Sequence, residues 1–474
     1  MDKVKYLLKN MSFLALSSLG IKLISFFLIP LYTSILTTSE YGTYDLYNTT
    51  ISLLIPFLTL NIKESTIRFA LSDEYDKDEV FTISLNYSIK ATVIFIGFII
   101  LNSYLKIIPS MCDYKLLIVI MFISQTINGI ITNFTRGLDR LKDIAVSSVI
   151  CSLSIVILNI ITLKPLHMGL TGYFLANTIG PLVQAVYLFV ISKSWKYIKF
   201  KKKYSQIKKE MVEYSVPMIA NSTAWWINSV SDRYIIIWLC GVAENGIYSV
   251  ANKIPSIVDV FQGIFSQAWT LSAVKEFDEE DKGGFFSNMF TMYNMCMTIM
   301  SGGVIAISRL LAKFLYANEF FMAWKYVPFL IIAVLFGALA GYCGAIFSAV
   351  KASKLYAYST LVGAGVNIIL NVLLVKAIGA LGAAIATSIS YTIIFILRLY
   401  YARKYINLKI SWCRDWAGYI ILFIQTICLL IFQKDNLEAY LIQVILIIIL
   451  ISLYGKQLYT IKVKISNLLN RKGR

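Results

Sequence analysis

The residues with the most chemistry available to them are charges set inside long apolar runs. Lys22, Lys90, Arg233 and Lys253 each fall well within such a run, and so do the acids Asp45, Asp232 and Asp259. A cation at the centre of a membrane helix costs about 3 kcal/mol on insertion scales, so four facing lipid would cost about 12 kcal/mol. That sum is comparable to the whole net stability of a folded domain. The four are therefore expected to face a hydrated interior. Two chemistries are open to them there. An excess of positive charge in a wet cavity suits an anionic passenger, whereas pairing across helices with Asp45, Asp232 or Asp259 makes structural ion pairs. In the first case the acids are free for ion coupling; in the second they are partners. Asp232 and Arg233 are sequence neighbours, about 100° apart around a helix, and need not pair with each other. Lys253 and Asp259 are poorly spaced to meet on one helix.

No catalytic constellation accompanies these charges. The single histidine, His167, sits beside Lys164 and Pro165 in a short loop and reads as solvated. The seven cysteines are scattered with no C-x-x-C spacing, which supports neither a disulfide framework nor a metal site. No cofactor is expected. The loops on the side opposite the N-terminus stay under roughly 20 residues, leaving no extramembrane domain on which a glycan polymerase could build an active site.

The elements that position the charges are apolar helices. Charged residues make up 15% of the 474 residues, against about 25% in a soluble chain, and spanning segments of about 20 apolar residues explain the deficit. Fourteen spans are expected, near 12–36, 41–62, 81–105, 115–136, 144–163, 168–192, 214–239, 246–271, 285–308, 327–350, 356–375, 380–397, 416–432 and 437–455. Lys3, Lys5 and Lys9 precede the first run, Lys22 interrupts it and no small-residue cleavage site follows, so it reads as a retained span. With the N-terminus inside, 32 of the 44 Lys and Arg lie in inside segments, eight in outside loops and four within spans. That bias puts both ends in the cytoplasm. It also explains the net charge of +18 without a nucleic-acid partner, because the basic residues lie in connecting loops. The linker Lys193–Glu210 holds eight of the lysines and is suited to anionic head groups of membrane lipids.

The spans repeat. Glu40-Tyr-Gly42-Thr-Tyr44-Asp45-Leu-Tyr-Asn48 has an echo in Glu244-Asn-Gly246-Ile-Tyr248-Ser249-Val-Ala-Asn252, an offset of 204. Gly169-x-x-Gly172-x-x-x-Ala176 recurs as Gly379-x-x-Gly382-x-x-x-Ala386, an offset of 210, and Leu158-Asn159 as Leu370-Asn371. Two echoes in one order at nearly one offset indicate a duplicated unit of six spans, an even number, so both copies share one orientation. The expected division is an N-terminal lobe over 1–192, a basic cytoplasmic linker over 193–213, a second lobe over 214–400, and an added helix pair with a basic tail over 401–474. Pro30, Pro56, Pro181, Pro217 and Pro255 fall within expected spans and predict kinks or breaks. Gly337, Gly341, Ala345 and Ala349 form a close-packing stripe.

Asp232-Arg233, then Cys240-Gly241, then Glu244-x-Gly246-x-Tyr248-x-x-Ala251-x-Lys253 resembles the core of Wzx-type polysaccharide flippases. Pro30 followed by Glu40-x-Gly42-x-Tyr44 is similar to the same family. The resemblance covers roughly residues 10 to 400. It implies the multidrug/oligosaccharidyl-lipid/polysaccharide exporter superfamily, whose members form two six-helix lobes around a central cleft and move undecaprenyl-diphosphate-linked oligosaccharides across the plasma membrane. A lipid II or multidrug exporter of that superfamily is the alternative. The resemblance carries over no catalytic residue, only a cationic cleft, for which Lys22, Lys90, Arg233 and Lys253 are the candidates here. Trp225, Trp226 and Tyr234 could stack on sugars or simply pack. A polysaccharide polymerase and chain-length machinery are the implied protein partners.

The orientation is checked by tags. One in the Lys193–Glu210 linker is expected to be labelled only from the cytoplasm, and one beside His167 only from outside; labelling of both from one side contradicts the charge count.

Overall fold

Apolar surroundings leave a backbone no solvent partner, so its hydrogen bonds must close internally. Accordingly, every regular element among the described residues is helical in the computed structural model. The structure describes residues 26–106, 113–199, 205–432 and 437–459. Most of the expected first span, Lys22 included, lies outside the described residues. Nine described helices are long and apolar enough to cross a membrane. The long helices Thr38–Leu58 and Ser205–Cys240, which carry Asp45, Asp232 and Arg233, are not among the nine.

The contacts divide the chain into two compact units, residues 1–249 with 315–320, and residues 250–314 with 321–474. In the first unit, α1 (Ile29–Ile35), α2 (Thr38–Leu58), α3 (Ile62–Leu71), α4 (Lys77–Leu105), α5 (Lys115–Gly137), α6 (Leu141–Leu163), α7 (Gly169–Ile191) and α8 (Ser205–Cys240) are followed by the start of α9 (Val242–Ala251). A capping box opens α2: the Glu40 backbone N–H donates to Thr37 Oγ1, and the Thr37 backbone N–H donates to the Glu40 carboxylate. The expected span 41–62 does not run unbroken. It ends at Leu58, and Leu60 and Asn61 take left-handed backbone conformations before α3 starts.

The first echo forms a contact between its own two copies. A Cβ on Gly42 would lie 2.0 Å from the Val242 carbonyl oxygen, and one on Gly246 would lie 2.0 Å from that of Thr38. Position 242 is the echo of 38 and 246 is the echo of 42, so the start of α2 and α9 cross as two-fold partners. Only glycine at both places lets the backbones approach this closely. The second echo serves a different purpose. Gly172 on α7 packs against Thr162 on α6, where a Cβ would come within 2.8 Å of the threonine Cβ. The segment 315–320 returns to the front of this unit: Thr33 Oγ1 donates to the Leu315 carbonyl, and Thr38 Oγ1 donates to Glu319.

In the second unit, α10 (Pro255–Lys275), α11 (Phe285–Leu315), α12 (Val327–Ala349), α13 (Ser353–Ile378), α14 (Ala380–Ala402), α15 (Trp412–Ile431) and α16 (Leu437–Leu453) follow. The second copy of the Gly-x-x-Gly motif makes an equivalent helical hairpin. Gly382 on α14 lies against the Leu374 carbonyl on α13, 2.3 Å from where its Cβ would be. Helix α12 is apolar all round and 78% buried over its most apolar window, against 22% for α13, as befits the central helix of the unit. Its glycine stripe is shared between neighbours, with Gly337 against Tyr391 and Gly341 facing Gln262. Trp269 donates to the Tyr342 carbonyl and Tyr342 to that of Phe286, at 3.1 and 2.7 Å.

The prolines divide into two groups. Pro56, Pro181 and Pro217 lie inside helices, whereas Pro30 and Pro255 occupy first turns, where a missing N–H costs no helical bond. Pro255 thus splits the expected span 246–271 into α9 and α10, with Asn252–Ile254 between them.

Gly42→Ala and Gly246→Ala are each expected to lower the melting temperature of the purified protein by several degrees. Gly97→Ala, with no atom within 4 Å of its Cβ, should leave it unchanged or raise it slightly. Equal melting of all three variants would mean that the crossing is not tight.

Candidate functional site

The crossing of α2 and α9 places Asp45 beside Asn245 and Ser249, one turn beyond the glycines. Ser249 Oγ donates to Asp45 Oδ2 at 2.6 Å, and Asn245 Nδ2 donates to the same oxygen at 3.2 Å. The other carboxylate oxygen accepts Arg233 Nη1 from α8 at 2.7 Å. Asp45 is therefore a buried carboxylate with a charge-assisted bond on one oxygen and two neutral donors on the other. Asp232, next to Arg233 in sequence, is also buried but faces elsewhere: it accepts from Tyr248 Oη at 2.5 Å and from the Arg233 backbone N–H. Two acids and one cation from α2 and α8, with neutral donors from α9, make one connected polar cluster.

Helix α8 is held in this register along its length. Trp226 Nε1 donates to the Thr49 carbonyl at 3.1 Å, Tyr234 shares a hydrogen bond of 2.5 Å with Thr50, and Asn61 donates to Ser222 at 3.0 Å. The Trp226 and Tyr234 rings also lie 5.3 Å apart. These two aromatic residues are thus engaged with α2. The Trp225 side chain lies outside the described residues.

The structure distributes the seven sequence candidates unevenly. It brings Asp45, Asp232 and Arg233 together. Lys90 lies on an exposed face of α4 beside exposed Ile89, Val93 and Ile94, with its ammonium 5.6 Å over the Tyr87 ring. Lys253 and Asp259 belong to the second unit, Lys253 in the turn before Pro255 and Asp259 half-buried on α10. Lys22 is outside the described residues. His167 is exposed in its loop. Among the described residues no group of three or more His, Cys, Asp or Glu could hold a metal ion.

Sequence reasoning passed over Asn245 and Ser249. The pattern held a usable indication: position 249 is the echo of 45 and position 248 the echo of 44. Residues at equivalent positions meet when two copies cross on a two-fold axis.

The profile of the polysaccharide biosynthesis protein family matches residues 7–270, more than half of the chain and including every member of this cluster. The chain belongs to that family. Family membership and the apolar helices identify it as a multi-pass membrane protein, and the family points to transport rather than to catalysis. The chain is 23% identical over 215 residues to a probable low-salt glycan biosynthesis flippase, Agl15, of Haloferax volcanii. That match covers 43% of this chain and 45% of the relative, so the chain spans less than half of that relative's length in the comparison. Among solved structures, the fold is similar to the lipid II flippase MurJ in an inward closed conformation, with a TM-score of 0.72 at 14% identity, over 95% of this chain and 99% of that one. It is also similar to an inward-facing multidrug resistance transporter of the MATE family, with a TM-score of 0.64 at 14% identity, over 82% and 94% of the two chains. The expected all-helical fold is thus confirmed and is shared with these solved structures, without the count of fourteen spans.

The coupling of Asp45 to Arg233 is measurable. Asp45→Asn leaves a partly buried guanidinium uncompensated and is expected to cost about 3 kcal/mol or more. Asp45→Asn with Arg233→Gln should recover much of that loss. Losses that add to within about 0.5 kcal/mol in a double-mutant cycle would show no interaction.

Proposed function

We propose that the chain is a flippase that carries an undecaprenyl-diphosphate-linked oligosaccharide repeat across the bacterial plasma membrane, for a capsule, an O-antigen or an exopolysaccharide. Membership of the polysaccharide biosynthesis family and the flippase relative support the class. The observation that carries the mechanism is the ion pair between Asp45 and Arg233. A guanidinium fork that binds a carboxylate binds a phosphate equally well. An arriving diphosphate exchanges with Asp45 on Arg233, and Asp45 keeps Ser249 and Asn245 as donors. The site is then a cation held in reserve rather than an open cationic cleft.

In this reading Lys22, Lys90 and Lys253 are the further cations of the path, and Asp232 and Asp259 its remaining acids. The lobes over 1–192 and 214–400 alternate access, with the 193–213 linker and both termini in the cytoplasm and the helix pair within 401–474 appended. The exchange removes a tie between α2 of the first repeat and α8 of the second, so substrate binding and movement share one bond. The sugars travel through the hydrated lumen and the polyprenyl chain stays in lipid. A polymerase and chain-length machinery consume the product outside.

The paired variant Asp45→Asn/Arg233→Gln tests this by removing both partners of the ion pair together. In cells that depend on this chain, it is expected to reach the membrane at normal abundance. Surface polysaccharide should nevertheless be lost, with the lipid-linked repeat trapped on the cytoplasmic face. Normal export by that variant refutes the exchange. Accumulation of lipid II in place of the repeat would reassign the substrate to the cell-wall precursor.

A further inference from the structure

The C-terminal end of α14 and the first turns of α15 frame an apolar groove of about 370 Å³ in the second unit. Phe395, Ile396, Leu399, Tyr400, Trp412 and Trp416 form its walls, and Arg403 and Lys404 stand with them at one end. Ile396, Tyr400, Trp412 and Trp416 are all exposed. In a membrane protein an open apolar groove of this size fills with hydrocarbon, and paired tryptophans are found where hydrocarbon meets head groups.

The cations decide the kind of lipid. The Arg403 guanidinium lies 5.4 Å over the Trp412 ring, and the Lys404 ammonium lies 5.0 and 5.3 Å over the Tyr400 and Tyr401 rings. Neither has a carboxylate partner among the described residues. Arg414, nearby in the sequence, is different, being neutralised by Asp415 at 2.8 Å. The aromatic faces position the two charged heads without cancelling them. The loop beyond is anchored as well: the Asn407 N–H donates to the Glu279 carbonyl at 3.0 Å and the Lys409 N–H to Ser287 Oγ at 2.9 Å. The groove mouth therefore presents two fixed, uncompensated positive charges beside an apolar slot. The charge count puts this segment on the cytoplasmic side, where anionic lipids give the leaflet its negative surface.

We infer that the groove binds an anionic phospholipid, its phosphate on Arg403 and Lys404 and one acyl chain along Phe395, Ile396 and Leu399. Native mass spectrometry of the full-length protein, released from nanodiscs of equal phosphatidylglycerol and phosphatidylcholine with matched chains, reads the lipids retained. Phosphatidylglycerol is expected to be retained at least about ten-fold over phosphatidylcholine, since each basic residue near a head group contributes about five-fold. Arg403→Ala/Lys404→Ala should abolish that preference and Arg403→Lys should keep most of it. Ile396→Trp, which fills the slot and leaves both charges, should reduce retention of both lipids and keeps the test decisive if the double variant misfolds. Equal retention of the two lipids by the wild-type protein overturns the inference, as does a preference that survives both the double variant and the filled slot. Displacement of phosphatidylglycerol by equimolar undecaprenyl phosphate overturns it too, by giving the groove to the tail of the transported lipid.

Discussion

The contact on which the site depends is the glycine-to-backbone crossing of α2 and α9. Two helices ordinarily stand 8–10 Å apart, with side chains between them. Here Gly42 and Gly246 remove those side chains, and each helix rests against a carbonyl of the other. At that separation the short side chain of Ser249 reaches the Asp45 carboxylate directly, and Asn245 reaches the same oxygen. Those donors satisfy one oxygen of the buried carboxylate, and its other oxygen holds Arg233. The polar cluster is thus a consequence of backbone proximity.

Much of the first layer was legible in the sequence. The charges inside apolar runs, the duplication and the family motifs could all be read directly, and Asp45, Asn245, Tyr248 and Ser249 of the first echo proved to belong to the cluster. Hydropathy averages, however, are blind to backbone breaks. They joined α9 to α10 across Pro255, and they extended α2 through Leu60 and Asn61, whose left-handed conformations end it. Averages also stop at charge. The span expected to end at residue 397 continues to Ala402 as α14, with Arg398 buried inside it. That guanidinium finds neutral acceptors in Ser359, Thr360 and the Ala340 carbonyl, and the Tyr356 ring at 4.0 Å. No pattern in the sequence announces such a set, because its members come from three helices.

The site was less legible than the fold for a related reason. A lone cation in an apolar run has the same appearance whether it awaits a ligand or already holds a carboxylate. What separates the cases is the partner, 188 residues away for Arg233. The duplication contained that information in coded form, since copies that cross on a two-fold axis bring equivalent positions together. Reading it required knowing that the copies touch through this motif and not through the Gly-x-x-Gly hairpins, which pack locally within each unit.

The meeting of Asp45 with its own repeat-equivalent, Ser249, bears on the history of the molecule. Before the two halves were fused, an ancestor made of two identical chains would have placed the same residue on both sides of the axis. An aspartate there would have confronted a second aspartate, two like charges at contact distance in a buried setting, and one would have had to hold a proton. A serine there would have offered a guanidinium no counterion. In a single polypeptide the two positions are free to differ, one an acid and the other its hydrogen-bond donor. An ion pair that occurs once in a doubled framework is a property that no symmetric dimer of this fold could have encoded.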